Sequence, residues 1–394
     1  MKQIVIISGN SAYNALNIFA DELAEGFAQA GEKCTHLQLS STNQYYSADE
    51  FYQNLHQIAK GTRLDLIISI NGIAIDIMED FPLKDQILAF YVDHPFHHHE
   101  RLRNNIPDCH SLFVDDTFTK CAAEAYPDCH ALGTIHQAGS IPKRQDIPFA
   151  DRKKRICFFG SYRNLRTQLE AIANTPSEGL ITNLIADGLD HPNMTIEQII
   201  IKNISENEHR NISIKETSEF SACINPVENF LRGYYREEIL RTLLANGIEI
   251  DIYGSGWENL DVPGKENLHC FPSVPYLEMA DIMTEYQFTL NVLPWAKAGF
   301  HDRLATGMLS GCICITDDST YIKNEQLAKK GVLVYNLAKE QKIISSIKYY
   351  LSHTEEAERE AQKAKAYARK NHTWKNRAEQ ILSLLHHTDT NNDN

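Results

Sequence analysis

Residues able to do chemistry fall into four short stretches. The first, YVDHPFHHHERL (residues 91–102), holds His94, His97, His98 and His99 with Asp93 and Glu100. A zinc site would use His94, His97 or His98 with Asp93 or Glu100. Adjacent histidines on a helix point about 100 degrees apart, so few can converge on one ion. A solvated turn is the plainer reading of His97 to His99. The second, FFGSYRNLR, ends a strand at Gly160 and offers Ser161, Arg163 and Arg166 where a helix would begin. Helix N-terminal amides with guanidinium groups make an anion site. The third, IYGSGW, sets Tyr253 and Gly254 in a glycine turn where backbone can approach a ligand closely. The fourth, GFHDRLATG, places Gly299, His301, Asp302 and Arg303 at a helix N-terminus, with Thr306 one turn on.

Something must carry these stretches, and the pattern around them is α/β. KQIVIISG, KCTHLQLS, RLDLIISIN, DQILAFYVDHP, SLFVDD and CHALGTIH read as strands. Helices such as NALNIFADELAEGFAQAG and SADEFYQNLHQIAKG lie between them, the latter with Ser47 as its cap. Strands this apolar, alternating with helices, form a parallel sheet covered on both faces. SIPKRQDIPFADRKKR breaks the pattern and reads as a linker, its run Arg152 to Arg155 solvated. RICFFGSY opens a second α/β unit, followed by a helical insertion over about 166–245. Strands IEIDIYG, NLHCF, QFTLNVLP, CICITDD and GVLVYN then alternate with helices. One long helix is expected over 342–371, then a closing helix and a polar, disordered tail over 376–394. The expected division is 1–145, a linker at 146–154, and 155–375. In right-handed α/β units, ligands gather at the carboxyl ends of the strands, so the last three stretches share one edge.

Composition narrows the classes. At 394 residues the chain exceeds one ordinary core, and 43% apolar with 23% charged residues describes a globular protein. A net charge of −14 argues against a nucleic-acid partner or an anionic membrane surface. No apolar run spans a bilayer and the start has no basic region before an apolar one, so a cytoplasmic protein without a transmembrane segment is expected. The nine cysteines lack metal-ligand spacing and read as buried, reduced thiols. Asp115 with Asp116, and Asp317 with Asp318, read as solvated strand ends rather than metal ligands.

The second half resembles bacterial glycosyltransferases built from two Rossmann-like domains facing across a cleft (the GT-B architecture), within them the spore-maturation, CgeB-like group. FFGSYRNLR resembles that group's F-x-G-S…R segment and IYGSGW its strand-turn. FPSVPYLEMADIMTEYQFTLNVL is similar to its F-x-x-V-x-Y…LN block, GFHDRLATGMLSGCICITD to its R-x-x-E-x-x-x-x-G-x-x-x-x-T stretch, and NHTWKNRAEQIL to its closing H-T-x-x-x-R-x-x-x-I-L. The likeness spans roughly 155–385 apart from the helical insertion; the first half fits by architecture only.

The resemblance implies a nucleoside-diphosphate sugar on the second domain and an acceptor (a glycan, a lipid-linked sugar or a protein) on the first, with no metal and no further cofactor. It places Gly160, Ser161 and Arg163 at the diphosphate with Tyr253 and Gly254 nearby. Ser273, Val274 and Tyr276 would meet the base, and Gly299, His301, Asp302 and Arg303 the diphosphate and sugar. The family usually has a glutamate on the ribose where this chain has Thr306, a departure that keeps a non-catalytic nucleotide-sugar-binding relative in view. A sugar-nucleotide epimerase of the same architecture is the third reading. An inverting transferase also needs a base at the acceptor hydroxyl. Asp93 and His94, at a strand end, fit that role if the carboxylate orients the imidazole.

Overall fold

The computed structural model describes residues 1–39, 48–59, 63–75, 78, 86–104 and 109–392. The expected cap Ser47 lies outside them. The chain divides into two units, residues 1–138 with 372–394 and residues 139–371.

In the first unit, β1 (Gln3–Ser8), β3 (Leu66–Ile70) and β4 (Ile87–Tyr91) are buried along their whole length. That is what continuous runs of Ile, Leu and Val produce when helices cover both faces. With β2 (Lys33–Gln38), β5 (His110–Phe113) and β6 (Ala131–Thr134) they make a parallel sheet in the order β2-β1-β3-β4-β5-β6. The helix Trp374–Asn392 packs on the helix Ala15–Gln29. A Cβ on Gly26 would lie 2.6 Å from the Trp374 carbonyl oxygen, so only glycine admits this approach, and the Trp374 and Phe19 rings meet at 5.2 Å.

The second unit's sheet has the order β12-β11-β10-β7-β8-β9, all parallel. Its strands are β7 (Lys153–Phe159), β8 (Ile250–Tyr253), β9 (Leu268–Phe271), β10 (Tyr286–Asn291), β11 (Ile313–Asp317) and β12 (Val332–Tyr335). The chain runs outward from β7 to β9, then returns to β10 on the other side of β7. This reversal opens a crevice outside the carboxyl ends of β7 and β10, the general ligand position in open α/β sheets. The expected insertion is present as five helices between β7 and β8, ending in the 25-residue helix Ser221–Ala245. Capping boxes at Thr195 and Ser213 start two of the others.

Four local expectations change. Arg152 is not part of a solvated run: it is buried, donating to the Ser310 and Gly311 carbonyls, both at 2.9 Å, and to the Ile147 carbonyl at 3.0 Å. Asp115 is fully buried and caps a helix through the Thr117 amide at 2.7 Å, and Asp317 is buried too. The long helix expected over 342–371 breaks at His353 into Ile344–Ser352 and Thr354–Asn371. There the Ser352 hydroxyl donates to the Tyr349 carbonyl and His353 Nδ1 meets the same oxygen, side-chain bonds that compete with the helix. The nine cysteines are all free, but Cys270 is exposed and Cys34 only partly covered.

Candidate functional site

The turns after β7 and β8 are built on each other. A Cβ on Gly254 would fall 2.2 Å from the Gly160 carbonyl oxygen, and one on Gly256 2.3 Å from the Tyr162 oxygen, with Gly256 at φ +90°. Both closures need glycine because backbone meets backbone. Trp257 Nε1 donates to the Gly160 carbonyl at 2.6 Å, and the Ser255 amide to Ser161 Oγ at 3.3 Å. The turn at residues 160–162 is thereby fixed before any ligand arrives.

Two guanidinium groups flank it. A Cβ on Gly160 would sit 3.4 Å from Arg303 Nη1 and 3.5 Å from Arg236 Nη1. Arg303 Nη1 donates to the Phe159 carbonyl at 2.5 Å, and Arg236 Nη1 to the Ser161 carbonyl at 3.0 Å. Arg236 also lies over the Phe158 ring, 5.8 Å from its centre. Both guanidinium groups thus donate to backbone carbonyls of this turn, which hold them beside Gly160. Arg236 comes from the helix Ser221–Ala245, one turn after Arg232, which pairs with Glu228. These arginines stand in the insertion and were not among the expected site residues; an i, i+4 basic pair on a helix leading into β8 is the only trace of them in the sequence.

His301, Asp302 and Tyr276 complete the other wall. Tyr276 donates to Asp302 Oδ2 at 2.5 Å, and His301 Nδ1 lies 2.8 Å from Asp302 Oδ1. Burial pushes the Asp302 carboxyl up, but His301, Arg303 and the Tyr276 hydroxyl outweigh it and hold it at about 2. Burial carries His301 below the ordinary imidazole range, aided by Arg303 and Arg232 and opposed by Asp302. Tyr276 is therefore a strut beneath Asp302, whereas Ser273 is exposed and Val274 partly so at the turn after β9.

The loop leading from β10 to His301 is held by the end of β11. Asp317 Oδ1 accepts from the Leu293 amide at 2.8 Å, Ser319 Oγ donates to the Gly299 carbonyl at 2.8 Å, and the Thr320 amide donates to the Lys297 carbonyl at 2.8 Å. Lys297 Nζ in turn donates to the Pro192 carbonyl at 2.5 Å, tying the loop to the insertion.

Three expected residues stand differently from the role given them. Thr306 is fully buried, its hydroxyl accepting from the Ser140 amide at 3.1 Å under a close approach by Gly139, so it presents no hydroxyl at the surface for a ribose. Arg163 is exposed just before Asn164, the cap of the helix Leu165–Ile172, and makes none of the side-chain bonds described at Gly160. Tyr253 is stacked between Phe159 (4.9 Å) and Phe271 (5.0 Å), and its hydroxyl meets that of Tyr286 at 2.8 Å, along the sheet.

In the first unit, the expected Asp93–His94 pair does not form. His94 is buried against Phe96 and Phe118, both at 4.9 Å, and its Nδ1 accepts from the Phe96 amide at 3.2 Å. Asp93 accepts instead from Asn71 Nδ2 at 3.0 Å and faces His98 Nε2 at 3.9 Å. His98, expected in solvent, is buried against the Tyr91 ring at 5.1 Å, and burial pulls it to about 4 against the opposing charge of Asp93.

Residues 236–383 match the model of a family described as glycosyl transferase-like. Among curated protein sequences none matches the chain. Several solved structures share the fold over nearly the whole length. An α-glucosyltransferase in complex with UDP superposes with a TM-score of 0.58 at 9% identity, over 98% of this chain and 100% of its own. Sucrose-phosphate synthase from Thermosynechococcus elongatus gives 0.51 at 10% identity, over 99% and 100%. Anabaena HepE in complex with UDP and glucose gives 0.51 at 10% identity, over 98% and 99%. With its two six-stranded parallel sheets the chain shares the GT-B fold of these structures. Among the described residues no helix is long and apolar enough to cross a membrane.

Proposed function

We propose that the chain transfers a sugar from a nucleoside-diphosphate donor held at the carboxyl edge of β7 and β10 to an acceptor held by the first unit. The observation that carries this is the pair Arg236 and Arg303 flanking Gly160, each held there by a backbone carbonyl of the turn. Glycosyl transfer passes through an oxocarbenium-like state while negative charge grows on the departing diphosphate. Cations already fixed where that charge develops stabilise it without reorganising. No metal is needed in this scheme, so chelators should leave turnover intact, and a loss restored by a divalent ion would overturn it. The acceptor is a glycan, a lipid-linked sugar or a protein rather than nucleic acid, in keeping with the net charge of −14.

The burial of Thr306 favours a second reading, nucleotide-sugar binding without transfer, because the ribose contact has to be found elsewhere. One experiment separates the readings: incubation with UDP-, ADP-, GDP- and dTDP-sugars. Slow release of free nucleotide supports transfer; thermal stabilisation without turnover supports binding alone. Interconversion of the sugar would make the chain an epimerase.

A further inference from the structure

We infer that His301 is a positioning residue: held as its Nδ1–H tautomer by Asp302, it takes a hydrogen bond from Arg303 on Nε2 and so aims that guanidinium at Gly160. The inference rests on the donor reading above, and its geometry is a chain of four bonds. Tyr276 OH donates to Asp302 Oδ2 at 2.5 Å, and His301 Nδ1 reaches Asp302 Oδ1 at 2.8 Å. Arg303 Nη2 lies 3.2 Å from His301 Nε2, and Arg303 Nη1 donates to the Phe159 carbonyl at 2.5 Å.

The tautomer follows from competition at Nδ1. Arg303 also approaches that nitrogen with two donors, its amide at 3.1 Å and Nε at 3.4 Å. A bare Nδ1 would set two lone pairs against each other at 2.8 Å, nitrogen against carboxylate, and would force an Nε2 proton toward the Arg303 donor. A proton on Nδ1 satisfies Asp302 and leaves Nε2 as an acceptor, so one choice resolves both contacts. That choice gives up Nδ1 as the acceptor of the Arg303 amide that caps the helix, an amide of the first helical turn, where such groups have no intrahelical partner.

A consequence is sensitivity to acid. The charged and titratable groups facing His301 are Asp302 and Arg303 on its own helix, Arg232 from the helix Ser221–Ala245, and Tyr276 acting through Asp302. Protonation of His301 replaces an acceptor with a donor beside a guanidinium, so Arg303 must leave its position. The lowered imidazole range keeps this outside neutral conditions.

Two readouts test it. In histidine-labelled protein without nucleotide, nitrogen NMR at pH 7.5, with the signal assigned by its loss in His301→Gln, should show Nδ1 protonated and Nε2 bare. An Nε2–H tautomer or an imidazolium overturns the inference. In calorimetric titrations with UDP, His301→Ala should bind at least tenfold more weakly than the wild type at pH 8. His301→Gln supplies an oxygen where Nε2 was and should bind within threefold of wild type at pH 8. It should then lose less affinity than the wild type between pH 8 and 5, the titration of UDP itself being common to both. His301→Ala binding UDP as the wild type does, or wild type and His301→Gln falling together with acid, would overturn the positioning role. If wild-type protein binds no UDP at any pH, the donor reading fails, and the nucleotide-free spectrum tells that failure apart from failure of the chain.

Discussion

Asp317→Asn should stabilise the protein at neutral pH and do little in acid. Asp317 is buried at the end of β11, and burial raises its carboxyl from 3.8 to about 6 despite the Leu293 amide, which favours the charged form. A gap of roughly two pKa units corresponds to about 3 kcal/mol at about 1.4 kcal/mol per unit. The sign follows from proton counts. Between 3.8 and about 6 the native state holds a proton that the unfolded chain has released, so this group's contribution falls as pH rises through that window. Above it the full cost of burying the charge remains. Asparagine keeps an oxygen for the Leu293 amide and removes the charge. Urea unfolding of both proteins at pH 4.5 and pH 7.5 should show the variant's advantage growing by about 2 kcal/mol toward the higher pH, roughly 1 of the 3 being present already at pH 4.5. An advantage equal at both pH values, or a variant weaker at pH 7.5, would refute the reasoning and point to a carboxylate paired in the native state.

Other outcomes follow from the same geometry. Gly254→Ala drives a methyl into the Gly160 carbonyl and should cost about 1–3 kcal/mol of stability, read by urea unfolding, while weakening UDP binding. Arg236→Ala should weaken UDP at least tenfold in calorimetry, whereas Arg163→Ala should change it less than threefold, because Arg236 and not Arg163 is bonded beside Gly160. His94→Ala should lower stability by about 1–3 kcal/mol through loss of ring packing and of the Phe96 amide's acceptor. Full stability with transfer abolished would return His94 to the role of base.

The architecture was legible because its signals are local. Runs such as QIVIIS and LIISI can be buried on both faces only in a parallel sheet, and Gly160 and Gly254 end their strands as glycine turns do. The grouping of side chains around Gly160 was legible where one turn carries it, as at His301 to Arg303. It was not legible where topology supplies it. Arg236 stands more than seventy residues after Gly160 and reaches it only because the helix Ser221–Ala245 lies against the turn after β7. Thr306 and His94 misled for the opposite reason: each occupies a suggestive position, but a backbone amide two residues away or from a distant segment claims its side chain. Sequence spacing gives the helix face and the strand end; it does not give the partner.

The central claim is that a nucleoside diphosphate binds at Gly160 between Arg236 and Arg303, and equilibrium binding tests it most directly. Wild-type protein, Arg236→Ala and Arg303→Ala would be titrated with UDP, ADP, GDP and dTDP. The account predicts that at least one nucleotide binds the wild type and that both variants lose at least tenfold in affinity for it. Binding to none of the four, or binding unchanged in both variants, would contradict it.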